Sequence, residues 1–128
     1  MITQNVEAVT GACLAVRKTI FDEVEGLNES DLKVAFNDVD FCLRVSQLGY
    51  RNIMDPNVLL FHHESLSRGI DTEGEKKLRF QKEVNYMLKN WGHKLLYDSN
   101  YNPNLTLEHE NFELSFPPRL KVSRKSEK

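Results

Sequence analysis

Two carboxylates, Asp38 and Asp40, follow Asn37 in the stretch Asn37-Asp38-Val39-Asp40, where a helical pattern begins. Acidic side chains suit that position, because the first N–H groups of a helix lack partners and its dipole is positive there. Either carboxylate can serve only as a cap. Alternatively, one caps while the other faces a cleft as a general base. On a helix the two lie roughly 200° apart, so they do not face one site together. A second group, Phe61-His62-His63-Glu64, ends a strand-like run. Neighbours on a strand point to opposite faces, so His62 and His63 are not joint ligands of one metal. One can be a ligand while the other is structural, and a lone histidine is equally at home as a hydrogen-bonded surface or core residue. A third group, Ser65-Leu66-Ser67-Arg68-Gly69, brings hydroxyls, a guanidinium and a glycine into one loop. That set suits a phosphate, although many polar loops read the same way. Zinc-type helical histidine pairs, a Walker A loop, G-x-G-x-x-G and G-x-S-x-G are absent, so nucleophilic hydrolase chemistry has no support. His93 and His109 fall in no pattern.

These groups need elements to position them. Ala8–Val16, AVTGACLAV, is small, apolar and partly β-branched between charged flanks, and reads as a buried strand. Gly11 weakens such a strand unless a ligand or another backbone approaches closely. Thr19 and Asp22 have capping-box spacing and should open a short helix that stops at Gly26. In the helix that begins near Asn37, Val39, Phe41, Cys42, Leu43, Val45 and Leu48 cover most of the circumference. That helix should be covered on more than one side and end at Gly49. Tyr50–Met54 and Val58–His62 read as short strands around an Asp55-Pro56-Asn57 turn. Thr72 and Glu75 form a second capping box, opening a long helix from about Glu73 to Asn90 with a core stripe of Phe80, Val84, Met87, Leu88 and Trp91 and a stop at Gly92. Trp91 with Phe112 and Phe116 can pin an irregular C-terminal segment by aromatic burial. The order β-α-α-β-β-α predicts an α/β unit with a small mixed sheet of three to four strands and about three helices. So small a sheet needs neighbours to cover it.

The 128 residues are enough for one domain with a real core, and 40% hydrophobic with 28% charged residues is a globular composition. No run is long enough to span a bilayer, and the first residues do not read as a secretory signal. A net charge of −2 argues against a nucleic-acid partner on bulk charge. Residues 119–128 carry five basic side chains and one acid, and read as a basic tail or linker after a body of 1–118, or as a contact for anionic lipid. Cys13 and Cys42 lie in apolar segments outside any C-x-x-C pair, and read as two buried thiols in a reducing compartment.

Taken together, VTGACLAVRKTIFDEVEGLNE and FNDVDFCLRVSQLGYRNIMDPNVLLFHHESLSRG resemble the C-terminal half of a family 2 glycosyltransferase domain. The likeness continues through RFQKEVNYMLKNW and YNPNLTL, from about Val9 to Arg119. It rests on the order and spacing of a TGA strand, an acidic helix start, LR…GY, a proline turn and a strand ending in histidine. The resemblance implies a partial GT-A-like fold, of which this chain is the acceptor-side half. It implies an inverting transferase that moves a sugar from a nucleotide-sugar donor to a glycan or lipid-linked acceptor in surface polysaccharide synthesis. It also implies a setting in the cytoplasm or at the inner face of the membrane.

Residue by residue, Asp38 matches the catalytic base, with Asn37 in place of the usual first acid. His62 matches a ligand of a divalent metal, Mn²⁺ or Mg²⁺. Thr10, Gly11 and Ala12 match the strand bordering the donor and acceptor cleft, and Ser65, Ser67 and Arg68 match a loop over the diphosphate. Asp40 and Arg44, four apart, read as a structural pair. The family's nucleotide-binding strands and the Asp-x-Asp that grips metal and diphosphate are not in these residues, Asp38-Val39-Asp40 matching the acceptor-side helix instead, so the chain alone is expected to be inactive. The QxxRW of processive synthases is missing, since Asn90-Trp91 follows Leu88-Lys89. The exposed sheet edge left by a half-fold predicts a homodimer, unless the Glu73–Asn90 helix and the tail from Tyr101 to Pro118 fold back over it, where Phe112, Leu114 and Phe116 alternate well enough to add a strand. Two rivals stand beside this reading: a non-catalytic interaction domain, and a small metal-dependent hydrolase using Asp38 with His62 or His63.

Overall fold

The computed structural model describes residues 2–61, 74–109 and 111–119. The chain forms a small mixed α/β domain. Its elements are β1 (Gln4–Val6), α1 (Lys18–Glu23), α2 (Asn37–Gln47), β2 (Asn52–Met54) and α3 (Gly74–Leu96), with a 3-10 turn at Gly11–Cys13. β1 and β2 pair antiparallel, with Gln4 opposite Met54 and Val6 opposite Asn52. Among the described residues the sheet has these two strands, where three to four were expected.

The helix α2 is the centre of the molecule, as its nearly all-round apolar pattern predicts. Phe41, Cys42 and Val45 pack with Val24, against Ala8, Val9, Leu14, Ile20 and Phe21. Leu43 packs on the other side with Leu32, Met87 and Trp91. A helix buried on two sides needs both clusters, and each large buried side chain contributes about 1.5–3 kcal/mol. Past its end, Gly49 takes φ +87° and its N–H donates to Ser46 O at 3.1 Å, so the glycine stop is where the sequence puts it.

Several expected elements differ. Ala8–Val16 is not a strand. The Thr10 hydroxyl accepts from Ala12 N–H at 3.3 Å and Thr10 O accepts from Cys13 N–H at 3.3 Å. These local bonds fold the backbone into a turn where a strand would need a ladder partner. Val58–Phe61 is likewise outside any strand and exposed throughout, although the Asp55 turn before it forms, with Val58 N–H donating to Asp55 O at 3.2 Å. The helix α1 starts at Lys18 after Arg17, without a side-chain cap. Asp22 pairs with Lys18 rather than closing a box with Thr19.

α3 runs past Gly92 to Leu96. One glycine costs a helix only about 1 kcal/mol, and the buried contacts of Trp91 outweigh it. The stripe on this helix is Glu83, Met87 and Trp91, whereas Leu88 and Phe80 are exposed. Phe112 and Phe116 are exposed as well, so they do not pin the C-terminal segment. Arg119 does so instead, donating to Leu105 O through Nε at 2.8 Å and lying over the Tyr101 ring. Glu7 ties the same segment to the N-terminus, with its Oε1 accepting from the Ser99 hydroxyl at 2.6 Å. Cys42 is buried, but Cys13 is exposed.

Candidate functional site

Asp38 stands in the first turn of α2, half-buried, with both carboxylate oxygens on backbone donors. Gly11 N–H donates to Oδ2 at 2.7 Å, and Val39 N–H donates to Oδ1 at 2.9 Å. The first bond joins residues 27 apart in sequence and has the short length of a charge-assisted hydrogen bond. It explains Gly11. A Cβ at that position would come within 3.3 Å of Asp38 Cβ and 3.4 Å of Oδ2. The close approach that a glycine permits is therefore to the carboxylate. Thr10, Gly11 and Ala12 are exposed, and Gly11 lies against Asp38. The structure thus brings together the two motifs expected to border a cleft, although the first is a turn and not a strand.

Asp40 points away from this meeting, as its place two residues along the helix requires. It is fully buried. Its Oδ2 accepts from Arg44 Nε at 2.8 Å and its Oδ1 from Trp91 Nε1 at 2.8 Å. The Arg44 guanidinium also donates to Val24 O, and to Gly26 O at 2.8 Å. Asp40 and Arg44 are the structural pair read from their spacing. Trp91, the third member, joins α2 to α3; its place in the core stripe was legible in the sequence, its bond to Asp40 was not.

A second buried carboxylate, Glu83, was also missed. Val34 N–H donates to its Oε1 and Ala35 N–H to its Oε2, each at 3.1 Å. The signal that could have found it is an acid at the centre of an apolar stripe, four residues before Met87.

Beneath the Thr10 turn, the Cys42 thiol lies 3.8 Å from Val9 O. Burial raises its pKa most, the hydrogen bond to Val9 opposes that, and the nearby Asp38 charge raises it further. Cys42 is therefore a protonated, inert neighbour of Asp38 rather than a nucleophile.

His62, His63, Ser65, Ser67 and Arg68 lie outside the described residues. Among the described residues, no group of three His, Cys, Asp or Glu side chains could hold a metal ion. Neither of two surface cavities includes Asp38. One, of about 400 Å³, lies between Ser30–Lys33 and the start of α3. The other, of about 250 Å³, is polar and sits at the opposite end of α2, beside Ser46 and Asn52. Among the described residues, no helix is long and apolar enough to cross a membrane.

Comparison with known proteins adds two relatives. The chain is 51% identical over 116 residues, 91% of its length, to an uncharacterized protein, y4gI, of Sinorhizobium fredii (strain NBRC 101917 / NGR234). It is 32% identical over 109 residues, 82% of its length, to the O-antigen biosynthesis protein RfbC of Myxococcus xanthus. The chain spans only 13% and 8% of the lengths of these two proteins. No family model matches the chain. No solved structure matches it either.

Proposed function

We propose that this chain is the acceptor-side part of an inverting, family 2 glycosyltransferase of GT-A fold that acts in glycan assembly, with Asp38 as its general base. The observation that carries the reading is the bond from Gly11 N–H to Asp38 Oδ2 at 2.7 Å, which joins the exposed Thr10–Ala12 turn to the acidic start of α2. The similarity to a protein of O-antigen biosynthesis supports the glycan setting. In the transfer step, an acceptor hydroxyl oxygen bonds to the anomeric carbon from the face opposite the nucleotide. The bond from that carbon to the diphosphate oxygen breaks, and the diphosphate leaves with the electron pair. The hydroxyl proton passes to Asp38. Backbone N–H groups aim both carboxylate oxygens without occupying all their lone pairs, so the group is oriented and still able to accept a proton.

Thr10 and Ala12 border the acceptor in this reading, and Ser65, Ser67 and Arg68 face the diphosphate. His62 belongs to a Mn²⁺ or Mg²⁺ site, where the ion would offset charge on the leaving group. The described residues hold no ligand set for that ion, and proton transfer at Asp38 does not depend on one. The site works at the cytoplasmic side, where nucleotide sugars are available. The test is an assay of the full-length protein with UDP- and dTDP-sugars, Mn²⁺ and glycan acceptors. Acceptor-dependent release of nucleoside diphosphate with inversion at the anomeric carbon is the expected result. Absence of release across donors and acceptors would count against transfer.

A further inference from the structure

Glu83 is only 1% exposed, on the buried stripe of α3 with Met87 and Trp91. A carboxylate there is costly unless hydrogen-bonded, and an apolar side chain would fill the place more cheaply. Both of its oxygens hold backbone N–H groups of the segment entering α2, those of Val34 and Ala35. Arg79 Nε lies 3.9 Å from Oε1 on the same helix. The next residue, Phe36, has φ +63°, a left-handed conformation that its Cβ disfavours. Its ring packs on Phe80, one turn before Glu83, with centroids 5.6 Å apart. Its carbonyl accepts the opening bond of α2, from Asp40 N–H at 2.9 Å. Asp38 follows two residues later. Fixing the N–H groups of residues 34 and 35, and with them the conformation of Phe36, sets the direction in which α2 departs. That direction decides whether the Asp38 carboxylate meets Gly11 N–H.

We infer that Glu83 is a positioning residue for Asp38, acting through the left-handed Phe36. The inference rests on reading Asp38 as the base. Glu83→Gln keeps the volume but replaces one accepting oxygen with an NH₂, which cannot accept from a backbone N–H. Gly11 is exposed, so its amide exchange with solvent reports the bond to Asp38 and not burial. Amide exchange at Gly11 is therefore measured in the wild-type chain, in Glu83→Gln and in Met87→Ala, which loosens the cluster that Phe36 packs against while leaving both Glu83 bonds to residues 34 and 35 in place. Exchange should quicken about tenfold or more in Glu83→Gln, as the loss of a bond to a charged acceptor implies, and stay unchanged in Met87→Ala. In the transferase assay kcat should fall on the order of tenfold, with KM near the wild-type value. Unchanged Gly11 exchange in folded Glu83→Gln would overturn the inference, as would equal acceleration by Met87→Ala. Faster exchange with undiminished kcat would sustain the hold of Glu83 on Asp38 and count against Asp38 as base. If Glu83→Gln does not fold, it is combined with Phe36→Gly, because glycine takes the left-handed conformation freely. Restored folding supports the inference, and failure to restore it overturns it.

Discussion

Asp38 and Asp40 look alike in the sequence, and their surroundings separate them. Asp40 is closed in by Arg44 and Trp91, whereas Asp38 reaches the exposed Thr10 turn. That division was legible, because residues two apart on a helix face different ways. The role of Gly11 was legible only in part: the sequence called for a close approach, but the partner lies 27 residues away. Gly11→Ala should therefore push Asp38 aside by a few tenths of an ångström and lower transfer activity, while shifting stability by less than about 2 kcal/mol. Kinetic assay beside thermal denaturation checks this, and unchanged activity would separate Gly11 from the site. The thiols give a second prediction. Burial holds the Cys42 pKa up, while Cys13 is exposed. Iodoacetamide near pH 8 should label Cys13 in the folded chain and spare Cys42 until the chain unfolds, as mass spectrometry of the labelled peptides would show. Since the folded state keeps the Cys42 proton longer, the stabilising contribution of this group is complete below the usual thiol range, about pH 8.5, and falls as pH rises beyond it.

Helices were easier to read than strands, for a physical reason. The repeat of apolar residues along α2 is a property of the segment itself and survives whatever packs around it. The Ala8–Val16 segment is apolar enough for a strand, but its backbone groups went to Thr10 and Asp38, a choice made by tertiary contacts. In α3 the periodicity was visible and Met87 and Trp91 lie on the inward face as read, but the buried Glu83 turns that face away from Phe80 and Leu88. Trp91→Phe keeps most of the ring and removes the bond to Asp40. It should cost about 1.5–3 kcal/mol, the range for hydrogen bonds to charged groups. Leu88→Ala, on the exposed side, should stay within about 0.5 kcal/mol. Urea denaturation of the two variants tests whether Leu88 belongs to the stripe, and a larger loss at Leu88 than at Trp91 would put it there.

At the scale of the molecule, the sheet formed among the described residues has two strands, and among those residues each strand has an outer edge. Beyond β2, Val58, Leu59, Leu60 and Phe61 are 59%, 81%, 64% and 88% exposed in succession. Four consecutive apolar side chains facing water invite apolar contact. Pairing of the chain with a second copy is therefore expected, most simply about a two-fold axis. Sedimentation should show a mass that rises with concentration, and Leu59→Lys with Phe61→Lys should return it to the monomer value. A monomer at all micromolar concentrations would refute self-pairing.

In the proposed transfer, Asp38 is the proton acceptor on which every other role depends. The most direct test compares kcat for the full-length protein with its Asp38→Asn variant, at saturating donor and with donor affinity measured separately. An asparagine keeps the size and one accepting oxygen but cannot take the proton. The predicted result is a loss on the order of 10²-fold or more in kcat with donor binding nearly intact. Turnover close to wild type in a folded Asp38→Asn protein would show that Asp38 only caps α2, and would contradict the account.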